Sequence, residues 1–256
     1  MVVSHPGATY GGLVHAGRLR GERAVLAIDL ISQHYRNLGI TRLRYKAVPH
    51  IYHTSPSQDD LYALFRMGAL RYRCDLSCAI DLAKRLPTSE RRRRALKIAH
   101  EHSVEVINGT QHAASIWSVL GENLARKHDT KPVHTLQEIL MLHERFPTQI
   151  EFVAATHAGV VVAGVVLFHS PTVVHAQYIA SSEAGYNLQA LDVLFEWCIR
   201  RAQQDGRARY FDFGISNENE GLFLNVGLYD FKAEFGGGGA VHEFFELNLQ
   251  GEKHAA

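Results

Sequence analysis

Apolar residues recur at helical spacing from Glu22 to Leu38, where Val25, Ile28, Leu30, Ile31, Tyr35 and Leu38 form a stripe that Gly39 ends. Arg42–Lys46 (RLRYK) then alternates with the period of two that marks a strand. Pro49–Pro56 is a loop rich in His and Tyr. Ser57, Asp59 or Asp60 can cap a short helix, DLYALFRM, which stops at Gly68, and Ala69–Leu82 alternates again as a long strand. A basic helix runs from Ser89 to Glu101, with a short strand at Val104–Ile107. Helices are predicted at Gln111–Lys127 and Leu136–Arg145. Strands follow at Ile150–Thr156, Val160–His169 and Val173–Ala180, the first two joined by an Ala158-Gly159 hairpin turn. Leu188–Gln204 reads as a long helix, Arg209–Phe213 as a strand, and Glu218–Val226 as a short helix. Tyr229–Phe235 and Ala240–Leu249 read as strands joined through Gly236–Gly239.

The order strand, long helix, strand, loop, short helix, glycine, strand occurs twice, opening on a strand at Ala8–Leu13 in the first copy and at Val173–Ala180 in the second. Tyr10 aligns with Tyr178 and Tyr45 with Phe213, both at an offset of 168, and Gly68 aligns with Gly227 at an offset of 159. The second copy is preceded by two helices and a hairpin, residues 111–170, that the first copy lacks. The first unit therefore reads as truncated at its N-terminal side.

A length of 256 residues accommodates one or two domains at about 150 residues each. With 46% hydrophobic and 21% charged residues the composition is that of a globular protein, and no apolar run reaches membrane-spanning length. No basic segment followed by an apolar one opens the chain, and three cysteines without a close pair fit a reducing compartment, so a cytoplasmic protein is expected. The net charge of +1 is unevenly spread. Residues 1–110 carry 17 Lys/Arg against 9 Asp/Glu, the remainder 10 against 17, which suggests an anionic partner for the first half or a solvated basic helix at Arg91–Arg94. The 16 histidines show no metal-ligand spacing, so no metal is expected.

The strings SHPGATYGGLV, YKAVPHIYH with DLYALFRMGA, KPVHTLQEI, VVHAQYIASS, and YFDFGISNENEG with LNVGLYDFKAEFG resemble Fem-type (FemAB-like) members of the GNAT acyltransferase superfamily. The resemblance covers residues 4 to 248. It implies an α/β (α+β) fold of two GNAT-like units in tandem, with mixed sheets flanked by helices. The expected division is a partial first unit on the acceptor side (1–85), a basic connecting helix and strand (86–110), and a complete unit on the acyl-donor side (111–250). The implied activity is transfer of an acyl or aminoacyl group from acyl-CoA or aminoacyl-tRNA to an amine, on an amino sugar or a cell-envelope precursor such as a nucleotide-sugar or a peptidoglycan or polysaccharide precursor. Acyl-CoA would then be a co-substrate, and basic residues 84–97 could hold tRNA. The alternative is a non-catalytic glycan- or partner-binding module on a degenerate fold.

The resemblance also assigns roles. The donor pyrophosphate loop falls on Ser181, Ser182 and Gly185, although only Gly185 fits the family pattern and Glu183 opposes a phosphate. Lys232 matches a basic position of Fem-type proteins, and Tyr178 could protonate the leaving group. Strict alternation along Val173–Ala180 puts His175, Gln177 and Ile179 on one face and Val174, Ala176, Tyr178 and Ala180 on the other. His175 could take a proton from the attacking amine, or be a core histidine. Asp212, inside a strand, could serve as base or orient His175, or form an ion pair with Arg209 or Lys232. Asn217 sits at a strand's carboxyl end, where ligands gather in α/β sheets. For the acceptor the candidates are His5, Tyr10, Lys46, His50, Tyr52, His53 and Arg66, with His128, Lys131 and His134 in the loop that overhangs the acceptor in this fold.

Overall fold

The computed structural model describes residues 1–128 and 132–250, with 126–128 described in backbone only. In chain order the elements are β1 (Val2–Val3), α1 (Glu22–Asn37), β2 (Arg42–Lys46), α2 (Asp59–Arg66), β3 (Leu70–Asp81), α3 (Glu90–Glu101), β4 (Glu105–Asn108) and α4 (Ala113–His128). They continue with α5 (Leu136–Arg145), β5 (Ile150–His157), β6 (Val160–His169), β7 (Val173–Ser181), α6 (Glu183–Asn187), α7 (Ala190–Asp205) and β8 (Tyr210–Ile215). The last are β9 (Asn217–Glu218), β10 (Phe223–Leu224), α8 (Val226–Ala233) and β11 (Gly238–Asn248). This is the mixed α/β class that the sequence predicts. Among the described residues no helix is long and apolar enough to cross a membrane.

Two compact units divide the chain. The first comprises Met1–Ser77, Ile215–Val226 and Gly239–Ala256, and the second Cys78–Gly214 and Gly227–Gly238. These boundaries differ from a cut at 85 and 111. The first unit takes back the C-terminal strand, because β11 pairs antiparallel with β2 from Phe244–Lys46 to Asn248–Arg42.

In the first unit β1 runs parallel to β2, and β11 lies between β2 and β3. Alternation along β2 sends Leu43 and Tyr45 into a core with Ile28, Leu64, Leu247 and Leu249, and leaves Arg42, Arg44 and Lys46 facing away from it. Tyr45 ties this core together: its hydroxyl donates to Asp60 at 2.6 Å and accepts from the Leu13 N–H at 2.7 Å. Ala8–Leu13, expected as a strand, is irregular. The chain presses against β2 there, the Gly11 N–H donating to the Lys46 carbonyl, and a Cβ on Gly12 would stand 2.8 Å from the Tyr45 hydroxyl. Glu218–Val226, expected as a helix, is instead the β9–β10 hairpin, with positive φ at Asn219, Glu220 and Gly221. Two correspondences between the expected copies thus fall.

In the second unit β4, β5, β6 and β7 form an antiparallel meander, and β8 joins β7 in parallel. The β5–β6 turn is the predicted Ala158-Gly159, both at positive φ. One face packs Val153, Val165, Leu167, Val174 and Ala176 against Leu194, Phe195 and Ile199 of α7. The other packs Phe152, Ala154, Val166 and Tyr178 against Ile116 of α4 and Ile139 of α5. α4 lies close because β6 offers Gly164, where a Cβ would stand 2.7 Å from Ile116. Thr135 and Glu138 start α5 with a reciprocal capping box. α3 is anchored by buried Arg92, bound to Asp192 at 2.6 Å and Glu234 at 2.9 Å and lying over the Phe231 ring.

The helix predicted at Leu188–Gln204 is α7, and a short helix the periodicity did not show, α6, precedes it, set apart by Gln189 in a left-handed conformation. One strand expectation needs correcting. Tyr229–Phe235, predicted as a strand, lies mostly in α8. Phe231 and Phe235, four apart, meet at 5.4 Å and flank Arg92, so the aromatic spacing is that of a helix face.

Candidate active site in the second unit

β7 is paired differently along its two edges. Against β6 it pairs from Val174–His169 to Ser181–Ala163, and the register shifts between Val166 and Leu167. Val166 faces Tyr178 while Leu167 faces Ala176, so Gln177 is the extra residue of a β-bulge. Against β8 the ladder holds only at Val173–Tyr210, Val174–Phe211 and His175–Asp212. Among the described residues the parallel pairing with β8 stops at His175, while the pairing with β6 continues to Ser181.

The bulge also corrects the faces predicted for β7. Val174, Ala176 and Ile179 pack with α7, whereas Tyr178 and Ala180 pack with α4. His175 sits across from Phe168, which packs with the α4 side, as does Val166 across from Tyr178. His175 and Tyr178 therefore share a face, where strict alternation sets them apart.

His175 and Asp212, adjacent across the two strands, are bonded. The His175 Nδ1–H donates to Asp212 Oδ2 at 2.8 Å, while Asp212 Oδ1 accepts from the Gly214 N–H at 3.1 Å. Asp212 is fully buried, and a carboxylate on Nδ1 fixes the ring orientation and makes Nε2 the basic nitrogen. The chain turns at Gly214 with φ +77°. Its carbonyl accepts from buried Lys232 Nζ at 2.9 Å. Burial pushes the Lys232 ammonium down to about 8, against the opposing pull of Asp212 and the Cys78 thiol. Of the partners expected for Asp212, Arg209 instead meets Asp81 at 3.5 Å.

Tyr178 shares a short hydrogen bond with His134 Nδ1, and the Trp117 indole N–H donates to the His134 carbonyl at 3.2 Å. The Trp117 ring stands edge-on to Tyr178 at 5.1 Å. Burial raises the phenol above its ordinary range.

Ser181, Ser182 and Gly185 meet at the start of α6. Ser182 Oγ accepts from the Gly185 N–H at 3.1 Å and donates to the Val162 carbonyl at 3.0 Å, so Ser182 is the helix cap. The Ser181 hydroxyl donates to the Ser182 carbonyl. A Cβ at Gly185 would stand 2.3 Å from the Val162 carbonyl oxygen, which explains glycine there by close packing.

The remaining candidates lie in the first unit. Asn217 binds the Leu76 N–H and the Gly221 carbonyl, holding the hairpin. His5 and Lys46 line one cavity. Tyr10 and Tyr52 stack with centroids at 4.6 Å. His50 lies with Tyr52 in a single helical turn. Arg66 is apart, in an exposed ion pair with Glu22 at 2.6 Å. Lys131 and the side chain of His128 lie outside the described residues. Trp117, Arg44, Tyr72, Arg73 and Phe244 were not among the sequence candidates. Arginines two apart, in RLRYK and again in LRYRC, are the signal that could have found Arg44 and Arg73, because both strands carry apolar residues between their cations.

A family model described as the acetyltransferase (GNAT) domain matches residues 83–232. Among solved structures, FemX is similar with TM-score 0.66 and 10% identity over 96% of this chain and 82% of that one. L-PGS from Bacillus licheniformis is similar with TM-score 0.62 and 12% identity, covering 89% of this chain and 74% of its own. A tandem GNAT protein from the clavulanic acid biosynthesis pathway has TM-score 0.50 and 13% identity, with 94% and 74% covered. No curated protein matches by sequence.

Proposed function

The chain belongs to the GNAT acetyltransferase family, and from that premise we propose that it is an N-acyltransferase moving an acyl or aminoacyl group from an activated donor to an amine on an amino sugar or cell-envelope precursor. One observation carries the reading: the β7–β8 ladder ends at His175 and Asp212. A strand edge that has left its parallel ladder suits an activated carbonyl, and a backbone N–H of Ala176–Ser181 would polarise its oxygen.

The amine nitrogen attacks the carbonyl carbon, and His175 Nε2 takes its proton. The C–N bond forms as the bond to the leaving sulfur or oxygen breaks, and the Tyr178 hydroxyl protonates that leaving group. Asp212 is a positioning residue, holding the imidazole ring and stabilising it when protonated. Lys232 is a cation at the same end of β8, suited to a donor phosphate or to the developing oxyanion. Most of the rate enhancement would come from positioning and from exclusion of water.

Between the two donor classes, α6 favours the aminoacyl ester. Its cap hydroxyl is already committed to Gly185 and Val162, and Glu183 in its first turn opposes a pyrophosphate. Calorimetric titration with acetyl-CoA and with a non-hydrolysable 3′-aminoacyl-adenosine tests the reading. Micromolar binding of either supports a transferase and names its donor, and tighter binding of the second is expected. Binding of neither overturns it in favour of a non-catalytic module.

A further inference from the structure

The first unit holds a cavity of about 370 Å³. Its floor is built from three neighbouring strands. Arg44 and Lys46 project from β2, Tyr72 and Arg73 from β3, and Phe244 from β11, and the N-terminal segment 3–8 forms the opposite wall. The sequence makes this floor cationic by alternation, because Leu43 and Tyr45 of β2 fill the core and leave Arg44 and Lys46 on the other face.

The cations are held in place before any ligand arrives. Arg44 Nε donates to Glu246 at 2.9 Å and its guanidinium lies 4.4 Å from the centre of the Tyr72 ring. Arg73 gives Nε and Nη2 to buried Asp75, and lies over the Phe244 ring at 4.6 Å. Each guanidinium has five N–H donors, so both keep donors beyond those their carboxylates engage. Among the described residues no carboxylate lies within ion-pair distance of Lys46, whose Nζ donates to the neutral carbonyl of Ala8. Burial and the charge of Arg73 both lower its proton affinity, against the pull of Asp75, which is the mark of a cation short of countercharge. Among the described residues that line the cavity the one carboxylate is Glu220, exposed on the hairpin at φ +53°, whose charge acts on Arg44 and Arg73 without a close ion pair.

The covering segment is pinned to the same strand. The Ser4 N–H donates to the Arg44 carbonyl at 2.9 Å, and Ser4 Oγ accepts from the Lys46 N–H at 2.8 Å. His5 is held at φ +43°, an unfavourable conformation for a residue with a Cβ that persists only where the surroundings enforce it.

We propose that this cavity is a binding site for the phosphate group of a small ligand, gripped by Arg44, Lys46 and Arg73, with Glu220 as the wall carboxylate whose charge opposes the ligand. Three cations set around one space suit a multivalent oxyanion over a single carboxylate. The inference stands apart from the transferase reading, since it concerns equilibrium binding with no donor present.

The test is calorimetric titration of the full chain with inorganic pyrophosphate, uridine diphosphate and malonate at low ionic strength, repeated at rising salt. Pyrophosphate should bind with a submillimolar Kd that weakens steeply with salt, and malonate at least tenfold more weakly. Uridine diphosphate binding tighter than pyrophosphate identifies a nucleotide ligand, and equal binding identifies the bare phosphate group as the determinant. Lys46→Gln and Arg44→Gln should each weaken pyrophosphate at least tenfold. The exposed change Glu220→Gln should tighten it severalfold, a gain that misfolding cannot produce. Failure of pyrophosphate to bind at millimolar concentration, or Kd values unmoved by all three substitutions, overturns the proposal, as does malonate binding as tightly as pyrophosphate.

Discussion

The two edges of β7 are paired to very different extents. Along β6 the ladder runs nearly the whole length of the strand, interrupted by one bulge, and its residues fill two apolar layers. Along β8 three pairs form, and the last of them joins the buried histidine to the buried aspartate. A strand could have made a full ladder on both sides. The bulge at Gln177 and the turn at Gly214, φ +77°, end it where the ionisable groups collect. Other buried charged groups in this unit are held in ion pairs, Arg92 with Asp192 and Glu234, and Glu196 with Arg85. On the proposed reading the edge that keeps its ladder carries stability, and the edge that gives it up carries chemistry.

The largest effect that can break this contrast is at Asp212. Asp212→Asn should keep the circular dichroism spectrum and lower turnover by about 10²–10⁴, the range for a positioned proton acceptor. Unchanged turnover would reduce Asp212 to a structural partner. Tyr178→Phe comes next: kcat should fall about tenfold or more with KM little changed, because the phenol acts on the leaving group. A donor with a better leaving group should recover much of that loss. A substitution on the intact edge, such as Val165→Ala, should cost stability through its cavity, about 1–3 kcal/mol by urea unfolding, and leave kcat alone.

Lys232 gives a pH prediction. With its pKa near 8, it is a cation below that pH, so activity that needs the charge should fall on an alkaline limb near pH 8. The same shift has a sign for stability. The folded protein releases this proton more readily than the unfolded chain, so protonation opposes folding, and stability relative to Lys232→Met should rise between about pH 8 and pH 10.4. The smallest effect is at Gly214. A Cβ there would only touch His175 at 3.4 Å, so Gly214→Ala should cost about 1–2 kcal/mol from its positive φ alone.

Most of the element order was legible because it follows from periodicity. α1, β2, α5, β6 and the Ala158-Gly159 turn lie where the pattern puts them. The failures have definite physical causes. A bulge is a single inserted residue that leaves the composition of β7 unchanged, so alternation assigned Tyr178 to the wrong face. YDFKAEF satisfies both a period of two and an i, i+4 pair, and packing of Phe231 and Phe235 around Arg92 settled it as a helix. SHPGATYGGL suggested a strand, yet its glycines allow the chain to press against Tyr45. At the site, the approach of His175 to Asp212 could be guessed from two polar residues in apolar strands. The tie between Tyr178 and His134 could not, because it joins residues on separate elements through a packing contact.

A crystal structure of the chain with a bound non-hydrolysable donor analogue tests the central claim most directly. The account predicts the analogue's carbonyl between β7 and β8, beside Ala176–Ser181, with its oxygen hydrogen-bonded to a β7 backbone N–H. A donor bound elsewhere, or a β7–β8 ladder that closes beyond His175, would contradict it.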